Sequence, residues 1–288
     1  LVFSSSFQQS KFEDINEILS SGELGIMALS SIIFICLIPL LNPITSTTFR
    51  EIFTPERFER RFLFGFTQGS IFTCGVILTF LIGGIYRYLG FFIHFEDSSF
   101  ALGNVLLRAL SLGILIYCEE FLFRNKLLKY FQAGFEKTHF EDKTIAILTT
   151  ILTSLFYCGV KALQFDLSRM HLLTFFLISI SLSFRVFKTS DFTDGAGFWS
   201  AILIIFHPLL SLPILGNDFS GLILVKYQSI TSEDPLHPLS DLLRIFSGGQ
   251  GGPLSSIVLQ LLFLLDATHS ILRYKKVCQP HISHSPVL

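Results

Sequence analysis

Hydrophobic positions along this chain fall into long runs instead of the short alternation of a water-soluble helix or strand. Runs at roughly 24–41, 62–86, 102–123, 144–160, 171–187, 197–215 and 253–272 each come near the ~20 apolar residues that carry a helix across a bilayer. The pattern predicts an all-α fold, a polytopic transmembrane helix bundle of about seven spans. A short apolar patch at 222–225 raises the count to about eight if it re-enters the bilayer. Before the first run, residues 1–22 are polar, with Phe12, Ile15, Ile18 and Leu19 at the spacing of a short amphipathic helix lying on a surface. The organisation that follows is an N-terminal segment 1–22, a single transmembrane domain 23–276 and a polar tail 277–288. Residues 87–99 and 216–252 are predicted to be connecting segments. Gly65 and Gly69, four apart in the second run, predict a close helix contact. No internal repeat, low-complexity tract or linker divides the chain.

Charge adds a direction to this picture. Arg50, Arg57, Arg60 and Arg61 follow the first run, and Lys126, Lys129, Lys137 and Lys143 follow the third. Arg185 and Lys188 close the fifth, and Arg273, Lys275 and Lys276 follow the last. Basic loops mark the cytosolic side, so the reading is N-terminus outside and C-terminus cytosolic, in a cell (inner) membrane. Charged residues are 15% of the chain, against about 25% in soluble proteins, and mean hydropathy is +0.60. A formal net charge of −1 implies no nucleic-acid partner. The five cysteines form neither a disulfide framework nor a CxxC pattern: Cys36, Cys74, Cys118 and Cys158 lie in apolar runs and Cys278 in the tail. Residues 1–20 contain no apolar core of signal-peptide type.

Chemistry concentrates at the end of the third run, in Glu119, Glu120 and Arg124. Charge in or beside a span is costly and usually kept for function. On a helix, Glu120 and Arg124 are one turn apart and can neutralise each other. Glu119 points about 100° away and has no such local partner. A carboxylate without a cation in apolar surroundings is expected to have a raised pKa, as a general base or acid needs. The bland alternative is that all three are solvated at the cytosolic rim. His207, within the sixth run, is followed by Pro208, which removes a backbone donor and bends the local geometry, with Ser211 one turn on. A ring there is either aimed into a cavity or bonded to a neighbouring helix.

Other candidates read as structural. His171 starts the fifth run and is expected at the interface; Asp266 and His269 are spaced to pair with each other. His281 and His284 alone do not make a metal site, and no metal or other cofactor is expected. The glycine-rich stretch 247–253 lacks the Lys-Ser/Thr of a phosphate cradle. Ser154, Ser255 and Ser256 have no His/Asp pattern around them, which leaves a serine protease unsupported.

Glu119-Glu120-x-x-x-Arg124 resembles the EExxxR motif of the CAAX-protease and bacteriocin-processing family, which includes the type II CAAX prenyl endopeptidases. The resemblance extends in order over about 102–276. Ser154 to Val160 is similar to the family's FxxxH stretch, and Phe184 to Thr189 followed by Gly197 to Ser200 and His207 to the approach to its HxxxN motif. The Gly251-Gly252-Pro253 turn opening the last run also fits. The resemblance implies an intramembrane endopeptidase in which Glu119 activates water, Glu120 and Arg124 form a supporting ion pair, and His207 stabilises the oxyanion. Peptides or prenylated proteins would be the substrates. Two positions depart from the pattern: Val160 stands where the family has the FxxxH histidine, and Ser211 where it has the HxxxN asparagine. Serine still offers a donor and valine none; Glu119 could still hold a water if His171 swings in as a substitute. Three readings follow: a protease, a degenerate member acting as a membrane scaffold, binding or immunity-type protein, and a transporter with Glu119 on a proton path. The last lacks the repeat symmetry of many transporters.

Overall fold

The computed structural model describes residues 58–91, 98–164, 167–212, 221–227, 245–272 and 274. The expected segment 1–22, the expected span 24–41, and Cys36, Cys278, His281 and His284 lie outside the described residues. A π-helical turn, Phe58–Phe62, opens into α1, Leu63–Ile82, and strand β1, Tyr86–Phe91, follows. Helix α2, Ser98–Glu120, continues through a π-helical turn, Phe121–Leu127, into α3, Leu128–Phe135. Next come α4, Asp142–Gln164, α5, Arg169–Thr189, and α6, Thr193–Ile204, the last extended by a π-helical turn, Ile205–Leu209. Strand β2, Ile223–Tyr227, and two 3-10 turns, Gly249–Gly251 and Pro253–Ser255, precede α7, Ile257–Leu272.

The described residues are mostly helical, as the hydrophobic runs among them predict. Among the described residues three helices are long and apolar enough to cross a membrane: Glu59–Ile82, Asp142–Leu163 and Arg169–Thr189. Ile257–Leu272 is apolar but shorter. The expected span at 197–215 is interrupted, because α6 gives way at Ile205 to a π turn around Pro208 and the chain leaves the helix at Ser211 in a left-handed conformation, φ 52°.

Two segments read as connections take regular structure instead. The loop after the third run is largely helical, forming α3. Residues 86–91, read in part as a loop, pair antiparallel with 223–227, from Tyr86 opposite Tyr227 to Phe91 opposite Ile223. The 222–225 patch is therefore mainly strand and not a re-entrant helix. Its Ile, Leu and Val favour a pleated surface, and pairing satisfies backbone groups that neither segment could satisfy alone.

Helix packing is set by small residues. α1 and α6 run side by side so closely that a Cβ on Gly65 would stand 2.0 Å from the Asp194 carbonyl oxygen. One on Gly197 would stand 2.1 Å from the Phe62 carbonyl oxygen, and one on Gly69 2.4 Å from that of Phe198. This is the close contact that the Gly65–Gly69 spacing predicts. Arg61 ties the same end together, donating from Nη1 to the Thr189 carbonyl at 2.6 Å, with Nε 3.7 Å from Asp191 Oδ2. Arg185 donates from Nη1 to Gln68 Oε1 at 2.9 Å, lies 3.6 Å from Asp194 Oδ2, and stacks 4.0 Å over the Phe198 ring. α6 is thus the central helix, with Trp199 and Ile202 wholly buried in one core with Ile178, Leu182, Phe206 and Leu259.

Gly197→Val should lower the thermal midpoint in detergent sharply, by more than the ~1–3 kcal/mol of ordinary overpacking, since the obstacle is backbone. Gly75→Val, where nothing lies within 4 Å, should leave it nearly unchanged.

Candidate functional site

Glu120 ends α2 at the point where the helix widens into its π turn, and Arg124 follows one turn on. Both side chains are completely buried, with Arg124 Nε 3.5 Å from Glu120 Oε2. Arg124 is held from a second direction, because Nη2 donates to Ser179 Oγ at 3.0 Å and Ser179 donates on to Ser154 Oγ at 2.8 Å. Its guanidinium also lies 5.0 Å from the centroid of the Tyr157 ring. Residues of α4 and α5 thereby converge on the pair that α2 presents. Glu120 also touches α6, for a Cβ on Gly195 would stand 3.7 Å from its Oε2.

The cluster is polar beyond these bonds. Both Glu120 oxygens, Arg124 Nε and Nη1, and the hydroxyls of Thr149, Thr150 and Thr153 on α4 are buried without a hydrogen-bond partner among the described residues. Such atoms are rare in folded proteins and mark places where water or a ligand completes the bonding.

Glu119 does not have the isolation its position predicts. Lys161 near the end of α4 donates from Nζ to Glu119 Oε1 at 2.5 Å, with both side chains largely buried. The partner comes from another helix, so a rule about neighbours one turn apart could not see it. The premise of an unpaired carboxylate goes with that partner. Lys161 directly follows Val160, the position where the resemblance calls for a histidine.

The other expected members lie elsewhere. α2 and α6 run antiparallel: Gly195 meets Glu120, and the Ile204 side chain comes within 3.8 Å of where a Gly113 Cβ would stand. His207, three residues further on, is buried within range of the Arg108 charge. By the Gly113–Ile204 register it lies about two and a half helical turns, roughly 14 Å, along α2 from the glutamates. Ser211 is committed to the backbone, donating to the Ile223 carbonyl at 2.9 Å and accepting from Gly221 N–H at 2.8 Å. Its hydroxyl fastens the end of the sixth run to the start of β2 and is not presented as an oxyanion donor.

His171 is buried instead of interfacial. Its Nδ1 bonds Ser168 Oγ at 2.8 Å and its Nε2 the Gly251 carbonyl at 3.0 Å. Both ring nitrogens are engaged, so His171 does not stand in for the histidine missing at Val160. The glycine-rich stretch docks here as a compact turn, with Gly248, Gly249 and Gly252 all at positive φ. Asp266 accepts a short hydrogen bond from Ser181 Oγ on α5 instead of pairing with His269.

Sequence reasoning missed Lys161, Tyr157, Ser179 and the buried Arg108. Lys161 carried a signal: with Arg169 it is the basic residue that fits the alternation of loop charges least well. The hydroxyls carried none, since serine and threonine are ordinary in apolar helices. The chain matches no protein-family model, no curated protein and no solved structure.

Arg124→Ala should cost about 3–5 kcal/mol by leaving Glu120 buried without its cation. Replacing both, Glu120→Leu with Arg124→Met, should recover most of that loss. Thermal midpoints of the single and double variants in detergent check both statements.

Proposed function

We propose that this is a membrane protein of the CAAX-protease and bacteriocin-processing type whose glutamate site has lost hydrolysis and is kept as a binding or scaffold core. One observation carries the reading: Lys161 occupies the Glu119 carboxylate beside the valine that replaces the family's histidine. In the hydrolytic arrangement a carboxylate and an imidazole share a water within about 3 Å of each. Here an ammonium is bonded to Oε1 of the carboxylate, and the neighbouring position that would carry the imidazole is Val160. By the α2–α6 register His207 lies about two and a half turns away, and Ser211 is bonded to the chain that begins β2. Losing members of a set that acts as a unit costs orders of magnitude in rate.

The family membership, the placement in the cell (inner) membrane and the cytosolic C-terminus are parts of the same proposal. The last rests on the basic ends: Arg60, Arg61, Lys137, Lys143 and Lys188 gather at the ends of α1, α4 and α5 that share the Thr189–Asp191 turn or lie level with it. A second reading, retained proteolysis, draws on the buried row of unpartnered hydroxyls and the Glu120 oxygens, which could hold water.

A reconstituted-vesicle assay with a prenylated CAAX peptide and an unprenylated peptide distinguishes the two. The scaffold reading expects no cleavage above the Glu119→Gln background. It also expects Lys161→Ala combined with Val160→His to be the variant with the best chance of gaining turnover. Wild-type cleavage that disappears in Glu119→Gln would overturn it in favour of the protease.

A further inference from the structure

We propose that the groove between α3 and α4 is a binding site for one anionic phospholipid of the bilayer leaflet on the basic side. The proposal stands on membrane insertion alone, not on whether the glutamate site hydrolyses anything. The groove is an open cleft of about 430 Å³, within the usual range for small-ligand sites. Its walls are apolar, Phe131 and Phe135 from α3 and Leu152 from α4. Lys137 and Thr138 stand at the end where the chain turns from α3 towards α4, and Lys137 is the one charge among the lining residues.

The depth of these groups matches a lipid. Lys137 and Thr138 lie in the turn before the first residue of the Asp142–Leu163 span. Leu152 lies about 15 Å further along that helix, near its middle. A phosphate held at Lys137 would therefore lay its acyl chain along Phe131 and Leu152 in the direction lipid chains run. The same helix continues the apolar surface, with Leu155 and Phe156 both more than half exposed. Tyr130, which also lines the groove, and Phe140 in the segment leading to α4 are exposed, as aromatic residues are at membrane interfaces. The acids of this turn, Glu136, Glu141 and Asp142, are outside the lining, and Glu136 accepts a hydrogen bond from Gln132 Nε2 at 2.8 Å. Basic pockets beside spans on the cytoplasmic side are the chemistry that selects anionic headgroups. Gly134 leaves room in the cleft, since a Cβ there would meet nothing within 4 Å.

Native mass spectrometry of the full chain, delipidated and offered phosphatidylglycerol or phosphatidylcholine, tests the assignment. Wild type should retain one phosphatidylglycerol in preference to phosphatidylcholine. Lys137→Gln should weaken phosphatidylglycerol binding about fivefold and leave phosphatidylcholine unchanged, the effect of one lysine at an anionic surface. Gly134→Leu should weaken both lipids by filling the cleft. Binding unaffected by Lys137→Gln would overturn the site even if the Gly134 variant failed to fold. So would a photo-crosslinker at position 134 that captures protein, from this chain or a second copy, instead of lipid.

Discussion

A charged or hydroxyl-bearing side chain inside an apolar helix bundle has to find its partner within the protein, because the surroundings supply none. That requirement shapes the middle of this molecule. Glu120 and Arg124 neutralise each other on one helix, and the arginine is also held from two others, by the Ser179 hydroxyl, which donates on to Ser154, and by the Tyr157 ring. Glu119 is satisfied by Lys161 from a third position. The ionic residues thus select which faces of α2, α4 and α5 meet, a task that uniform apolar packing performs poorly. Such pairs are weak evidence for stability as such; their effect here is register.

The small-residue crossing of α1 and α6 performs the complementary task. With no Cβ at Gly65, Gly69 and Gly197, the two backbones approach to contact. The bracket of Arg61, Gln68, Arg185, Asp191 and Asp194 then pins the end of that crossing. Because α6 is fixed against α1, its antiparallel course beside α2 is fixed too. That course carries His207 away from the glutamates and towards Arg108. The distance between the expected catalytic groups is therefore a consequence of backbone packing and not of side-chain rotamers.

Features carried by local spacing were legible in the sequence: the helical runs, the Gly65–Gly69 contact and the Glu120–Arg124 pair, each of which depends on residues within one or two turns. What was not legible depends on partners far away in the chain. Lys161 meets Glu119 across 42 residues. Tyr86 meets Tyr227 as a strand pair, which no reading of either segment by itself predicts. Ser211 matched a motif position by count, yet the π turn at Ile205–Leu209 and the left-handed backbone at Ser211 turn its hydroxyl to the chain that begins β2. Spacing motifs assume regular helices, and this helix is not regular where the motif lies.

The most direct measurement is the separation of the Glu119 carboxylate from the His207 ring in an experimental structure of the protein in a lipid nanodisc. A paired, non-hydrolytic core requires Lys161 on Glu119 and the imidazole beyond about 10 Å, as about two and a half helical turns along α2 imply. An imidazole within about 6 Å of the carboxylate, close enough to share one water, with Lys161 turned away, would contradict the account and restore the protease.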